Sequence, residues 1–137
     1  MTATDVPTDP IEVNGDEPPI VGLTCQRIVA IEYMYAGVLV EPANVVFLQF
    51  SNQWYRLYFD YATIFWRASA SGPEGFAATE IDATFRPVEI GRTFGVEQHR
   101  LLAIAYEAIP QGSEVCLRFE AGVVLTFRCT NDVTSYA

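Results

Sequence analysis

The chain has 137 residues, 50% hydrophobic and 13% aromatic, enough for one domain with a full apolar core and too few for two. Seventeen acids against eight bases leave a net charge of −9, a field that repels nucleic acid and anionic membrane and steers a basic partner inward. All eight bases are arginine, which forms bidentate pairs and stacks on rings where lysine does not.

Residues 1–19 hold Asp5, Asp9, Glu12, Asp16 and Glu17 among four prolines. A stretch this polar cannot bury enough apolar surface to offset its ordering entropy, so it reads as a disordered acidic tail. It has neither the basic start nor the apolar run of a secretory leader, and no later segment reaches the roughly 20 apolar residues of a membrane helix. The expectation is a cytoplasmic protein that does not enter a membrane.

From Ile20 onward, β-branched and aromatic residues dominate in short runs broken by Gly, Pro, Asn and Asp. The pattern predicts strands near 20–25, 27–35, 37–41, 44–51, 54–60, 62–68, 86–90, 100–107, 114–120 and 123–129, with little helix. It also repeats. Arg27–Tyr33 reads R-I-V-A-I-E-Y and Arg100–Tyr106 reads R-L-L-A-I-A-Y, preceded by Val21-Gly22-Leu23-Thr24 and Ile90-Gly91-Arg92-Thr93. Each copy is followed by two L-x-F runs. The predicted architecture is a single mainly β, antiparallel domain over 20–137, a sandwich or partly open barrel built from two pseudo-symmetric repeats. Repeat one covers about 20–60, a connector about 61–88, and repeat two about 89–132. Arg27 and Arg100 open the two copies and are expected to cap or salt-bridge strand ends, for example with Glu32 or Glu107.

In the first hairpin, Val46, Leu48 and Phe50 share one side with Tyr55, Leu57 and Phe59, around a loop at Ser51-Asn52-Gln53. The other side carries Val45, Phe47, Gln49, Trp54, Arg56, Tyr58 and Asp60. The second hairpin turns at Glu120-Ala121-Gly122, with Val115, Leu117 and Phe119 facing Val123, Leu125, Phe127 and Cys129. Its other side is polar, with Arg118, Glu120, Thr126 and Arg128. The first hairpin therefore has an aromatic surface where the second has a wet one. Either the segment after it, Ala62–Arg67, or the Phe76 loop folds over these rings, or Phe47, Trp54, Arg56, Tyr58 and Asp60 form a partner-docking patch. The connector, rich in small residues, is a long surface loop that offers Glu74, Glu80 and Asp82.

Catalytic motifs are missing: no nucleophile elbow, phosphate loop, dinucleotide fingerprint or zinc-protease motif. Cys25, Cys116 and Cys129 have no metal spacing, Cys116 and Cys129 point to opposite faces of their hairpin, and His99 is the lone histidine. Neither a metal nor a cofactor is expected. Asp60 and Asp132 each end a hairpin and read as turn formers rather than as a carboxylate pair. The functional expectation is a non-catalytic acidic binding module, of the texture of immunity proteins that neutralise basic toxins, with a protein partner and a homodimer as a further option. The alternative is a small-ligand binder or enzyme with a pocket between the repeats, lined by Tyr33, Tyr55, Trp66 and Tyr106.

Overall fold

The computed structural model describes residues 11–74, 76–78 and 82–137. In chain order the strands are β1 (Val13–Asn14), β2 (Cys25–Tyr35), β3 (Val38–Phe50), β4 (Gln53–Asp60), β5 (Thr63–Ser69), β6 (Phe76–Ala78), β7 (Ala83–Val88), β8 (Leu101–Ile109), β9 (Gly112–Phe119), β10 (Val124–Thr130) and β11 (Val133–Tyr136). One helical turn, α1 (Ile90–Thr93), precedes β8. The strands form a larger sheet in the order β1-β5-β4-β3-β2-β7-β6 and a smaller one in the order β11-β10-β9-β8. The fold is mainly β, as the strand pattern predicts.

Tight turns generate most of this order. The loops at 36–37, 51–52, 61–62 and 131–132 each place both residues at positive φ, between 46° and 78°. Their mirror-image twist matches the right-handed twist of the flanking strands, so each reverses the chain into an antiparallel neighbour. Two successions of hairpins result, β2 to β5 and β8 to β11. The second hairpin turns as its residues predict: Glu120–Gly122 form one 3₁₀ turn with Ala121 at φ 62° and Gly122 at 73°.

Alternation then places the core. Ile28, Ala30, Val46, Leu48, Phe50, Leu57, Ile64 and Trp66 of the larger sheet meet Leu101, Val115, Leu117, Phe119, Leu125 and Phe127 of the smaller one in one buried cluster, with Ile20, Ile90 and Val96 at its margin. The registers Leu48↔Tyr55 and Leu125↔Leu117 put the predicted inward residues of both hairpins on that side. The sheets join at a corner, where the segment before β2 bridges the start of β8: Thr24 pairs with Arg100, and the Leu101 N–H donates to the Leu23 carbonyl at 2.9 Å. A second tie runs from the Thr134 N–H to the Glu41 carboxylate at 2.7 Å.

Several boundaries differ from expectation. Of residues 20–25, expected as a strand, only Cys25 belongs to one, at the start of β2; residues 21–23 turn, Thr24 makes a lone bridge, and Ile20 is buried in the core. The two runs 37–41 and 44–51 are one strand, β3. Its register slips opposite Ile31–Tyr33, and Pro42, which has no N–H to offer a ladder, lies in that irregular stretch. The run predicted at 86–90 is β7 followed by α1, and β11 is an addition at the C-terminal end. The predicted tail divides. Residues 1–10 lie outside the described residues, whereas 11–19 are packed against the larger sheet: Val13 and Asn14 run parallel to β5, the Glu12 carbonyl accepts from the Ile64 N–H at 2.9 Å, and Pro18 is buried. The three cysteines are unbridged. Among the described residues no helix is long and apolar enough to cross a membrane.

Phe127 is fully buried and Arg118 stands exposed on the opposite side of the same sheet. Phe127→Ala is expected to lower the unfolding free energy by about 3–5 kcal/mol, and Arg118→Ala to change it by less than about 0.5 kcal/mol, both read from urea unfolding.

Candidate binding face

Side chains that do not enter the core point from the larger sheet to its outer face. Cross-strand partners share a face, so the pairings Val29↔Phe47↔Arg56↔Arg67 run as a row across β2, β3, β4 and β5. The neighbouring rows hold Gln49 beside Trp54, and Tyr58 beside Phe65. Four of the five residues singled out in the sequence, Phe47, Trp54, Arg56 and Tyr58, are thus brought together half-buried on one surface. Asp60 lies on the same face at the exposed end of β4.

The rings are held in defined contacts. Phe47 meets Trp54 edge-on with centroids 6.4 Å apart, and Tyr58 stacks on Phe65 at 4.9 Å with an interplanar angle of 4°. Arginines lie over two of them: Arg27 is 5.2 Å from the Trp54 ring and Arg67 is 5.5 Å from the Phe65 ring. The segment expected to fold over the patch does not. Ile64–Trp66 pair alongside β4, with Ile64 and Trp66 in the core and Phe65 enlarging the aromatic surface. The side chain of Phe76 lies outside the described residues. Cover comes instead at one edge from Gly72, where an added Cβ would come within 3.0 Å of the Trp54 indole.

A shallow depression of about 400 Å³ opens between the rings, lined by Asn44, Val45, Phe47, Arg56, Tyr58, Phe59 and Asp60. Arg56 differs from the other arginines of the face. Arg27 makes a two-point pair with Glu89, at 3.0 Å from Nε and 2.6 Å from Nη2. Arg67 donates from Nη1 to the Trp66 carbonyl at 2.7 Å and from Nη1 and Nη2 to Asn14. The Arg56 Nε is shut off from water and bonded to nothing among the described residues.

The paired ends named in the sequence find other partners than those expected. Arg27 joins Glu89, not Glu32, which is held by Arg86. Arg100 lies 3.8 Å from Glu120 rather than beside Glu107.

A second recess lies between residues 14–19 and strands β4 and β5 of the larger sheet. It encloses about 490 Å³ and is lined by residues 14–19 with Tyr55, Trp66, Arg67 and Ala68. The fully buried Trp66 donates from Nε1 to the Tyr106 hydroxyl at 2.9 Å, and Tyr106 in turn donates to the Glu17 carboxylate. Burial, then the Glu17 carboxylate, raises the Tyr106 phenol above its ordinary value, so it remains a donor at neutral pH. Of the four residues expected to line a pocket between the repeats, Tyr55 and Trp66 line this recess, whose described lining holds no residue of the second repeat, and Tyr106 meets it through Trp66 and Glu17. Tyr33 is elsewhere, stacked on Phe85 at 4.9 Å on the outer face. Residues 11–19, a strap along the larger sheet, are fitted to their place at Gly15, whose φ is +90° and where any Cβ would collide with the Trp66 carbonyl.

Burial and then Glu97 push the Cys25 thiol up to about 12, and burial also raises Cys129. His99 lies 4.0 Å from Glu120, whose carboxylate also accepts the Arg100 N–H at 2.9 Å. Asp132 occupies a turn and accepts the Tyr61 N–H at 3.1 Å. Among the described residues no group of three or more His, Cys, Asp or Glu side chains could hold a metal.

Sequence reasoning missed one exposed apolar feature, the tip of the β2–β3 hairpin, where Tyr35, Val38, Leu39 and Val40 are all solvent-facing. A continuous apolar run reads as a buried strand, and nothing in it signals that the hairpin outgrows the sheet opposite. A comparison of the chain with protein-family models, with curated proteins and with solved structures finds no match in any of the three.

The Glu89 carboxyl is held below its ordinary value of 4.5, first by the hydrogen bond from Arg27. A lowered carboxyl stabilises the fold above its unfolded-state titration and loses that contribution as pH falls through the folded one. Because both partners are partly exposed, Glu89→Gln is expected to cost less than about 1 kcal/mol at pH 7. The difference from wild type should narrow as the pH falls below the ordinary carboxyl range, followed by urea midpoints.

Proposed function

We propose that this protein is a non-catalytic binding module that holds a protein partner on the outer face of its larger sheet. The observation that carries this reading is the contiguous aromatic surface of Phe47, Trp54, Tyr58 and Phe65, which is half-open, with cover among the described residues at its Gly72 edge. Trp, Tyr and Arg supply most of the energy at protein contacts, because they bury large areas while losing little conformational freedom. Here the rings are already fixed by one another and by Arg27 and Arg67, so docking would order little more. The net charge of −9 favours the approach of a basic protein and is the support for an immunity-like neutralising role. A cytoplasmic location and an origin of the two meanders by internal duplication belong to the same reading. The duplication is supported by the matched succession β2–β5 and β8–β11, although the two turn signatures diverge into an open turn and a helix.

A second reading is favoured by the recess under residues 14–19, where a buried indole, a phenol and a carboxylate form one hydrogen-bonded chain. It would make the protein a small-ligand binder, with Glu17 and Arg67 as the polar contacts. Glu17→Gln would then abolish ligand-induced thermal stabilisation, whereas changes on the outer face would leave it unaltered.

Trp54→Ala with Tyr58→Ala is expected to release the partner, at a cost of at least about 2 kcal/mol of binding energy, while keeping the thermal unfolding profile of a folded domain. Arg118→Ala with Arg128→Ala, on the outer face of the smaller sheet, should bind as wild type. Affinity purification with the three proteins, followed by titration calorimetry with the purified partner, makes the comparison. Equal retention by all three would end this reading.

A further inference from the structure

We infer that the outer face is a carboxylate-reading site, in which Arg56 receives an Asp or Glu side chain from an extended segment of the partner protein, between the rings of Phe47 and Tyr58. This rests on the binding-face reading and specifies what the partner must present there.

Arg56 and Arg67 occupy directly paired positions on β4 and β5, and like charges directly opposite one another destabilise a sheet. Neither has a carboxylate within ion-pair distance among the described residues, and the groups that hold Arg67 in place are the neutral Asn14 side chain and two carbonyls. The chain as a whole carries an excess of acids, yet two cations stand side by side without one. Asp60 does not supply it: four residues along the same strand, it lies about 13 Å away by strand rise. Arg56 also has a buried Nε with no acceptor. A buried donor left unbonded is costly, and a carboxylate that draws the guanidinium toward it would remove that cost.

The surroundings narrow the chemistry of the occupant. A guanidinium fork matches the two oxygens of a carboxylate, and that match is stronger where water is excluded. Phe47 and Tyr58 flank Arg56 in a depression of about 400 Å³, enough for one acidic side chain with an apolar neighbour on either side. Val45 and Phe59 add apolar lining, with Asn44 and Asp60 as its polar members. The fitting motif is therefore a single acid between aliphatic or aromatic residues. The negative field of the chain governs approach, whereas this contact is local. A partner of net positive charge that offers one acid at the contact satisfies both.

The test uses the full chain and a random octapeptide library displayed on phage, followed by synthetic copies of the selected peptides. Selected peptides should carry one Asp or Glu flanked by apolar residues. Replacing that acid by its amide should weaken binding to wild type about 10- to 100-fold, as loss of a charge-assisted hydrogen bond implies, and to Arg56→Gln less than about twofold. Arg56→Lys, which keeps the charge and loses the fork, should restore part of the difference. Without peptide, Arg56→Gln should melt at or above the wild-type temperature, because it relieves the Arg56–Arg67 repulsion. A marked fall in melting temperature would assign Arg56 a structural role and overturn the inference. Peptides that need Trp54 and Tyr58 but bind equally as acid or amide would overturn the carboxylate site and leave the binding face standing. Peptides indifferent to Trp54 and Tyr58, or no selected peptide at all, would overturn both. A wild-type dimer dissolved by Arg56→Gln would replace the partner segment with a second copy of the chain.

Discussion

A strand has two faces, and the larger sheet commits one of them to the core. Everything this protein can offer a partner from β2 to β5 must therefore lie on the alternate residues. The period of two that buries Val46, Leu48, Leu57 and Trp66 is the same one that lifts Phe47, Trp54, Arg56 and Phe65 outward. A slip of one residue in any of these pairings would exchange the two sets, so the core enforces the register of the binding face. The two-residue turns at 51–52 and 61–62 act in the same direction, since their positive φ values admit one register each.

The inner side is closed by a polar chain as well as by apolar packing. Trp66 is too large to be buried without a partner for its N–H, and Tyr106 from the opposite sheet supplies the acceptor. Tyr106 passes the demand on to Glu17, and this draws residues 14–19 across the seam. The strap, the edge of β5 and the smaller sheet are thereby tied through one buried indole. Arg67 couples this inner arrangement to the outer face: its donors fasten Asn14 of the strap while its guanidinium covers Phe65.

On the outer face the arginines divide the electrostatic work. Arg27 is neutralised by Glu89 and acts as a fixed lid over Trp54, and Arg67 is a clamp held by neutral oxygens. Among the described residues of that row, only the Arg56 Nε is both shut off from water and without an acceptor. Electrostatics at this scale is decided by neighbours within a few ångströms, which is why a strongly acidic chain can carry a locally cationic surface.

What was legible in the residues follows from local rules. Alternation identified both hairpins, their inward sets and the outward cluster of Phe47, Trp54, Arg56, Tyr58 and Asp60, because side-chain direction in a strand depends on parity alone. Turn chemistry located the reversals around Ser51-Asn52-Gln53, of which Gln53 already belongs to β4, and at Glu120–Gly122, and runs of β-branched and aromatic residues with few helix signals yielded the mainly β class. The strap was not legible: Glu12–Pro19 is polar and proline-rich, and its order depends on a sheet edge and a phenol far away in the chain. Phe65 was assigned to a covering segment because pairing of β5 beside β4 is a tertiary fact. The sequence by itself determined which residues could share a face and that this chain would be built from strands. Only the tertiary structure decided which arginines found a counter-charge, since Arg27–Glu89 spans 62 positions and Arg56–Arg67 depends on strand order, which long-range packing sets and no local pattern encodes.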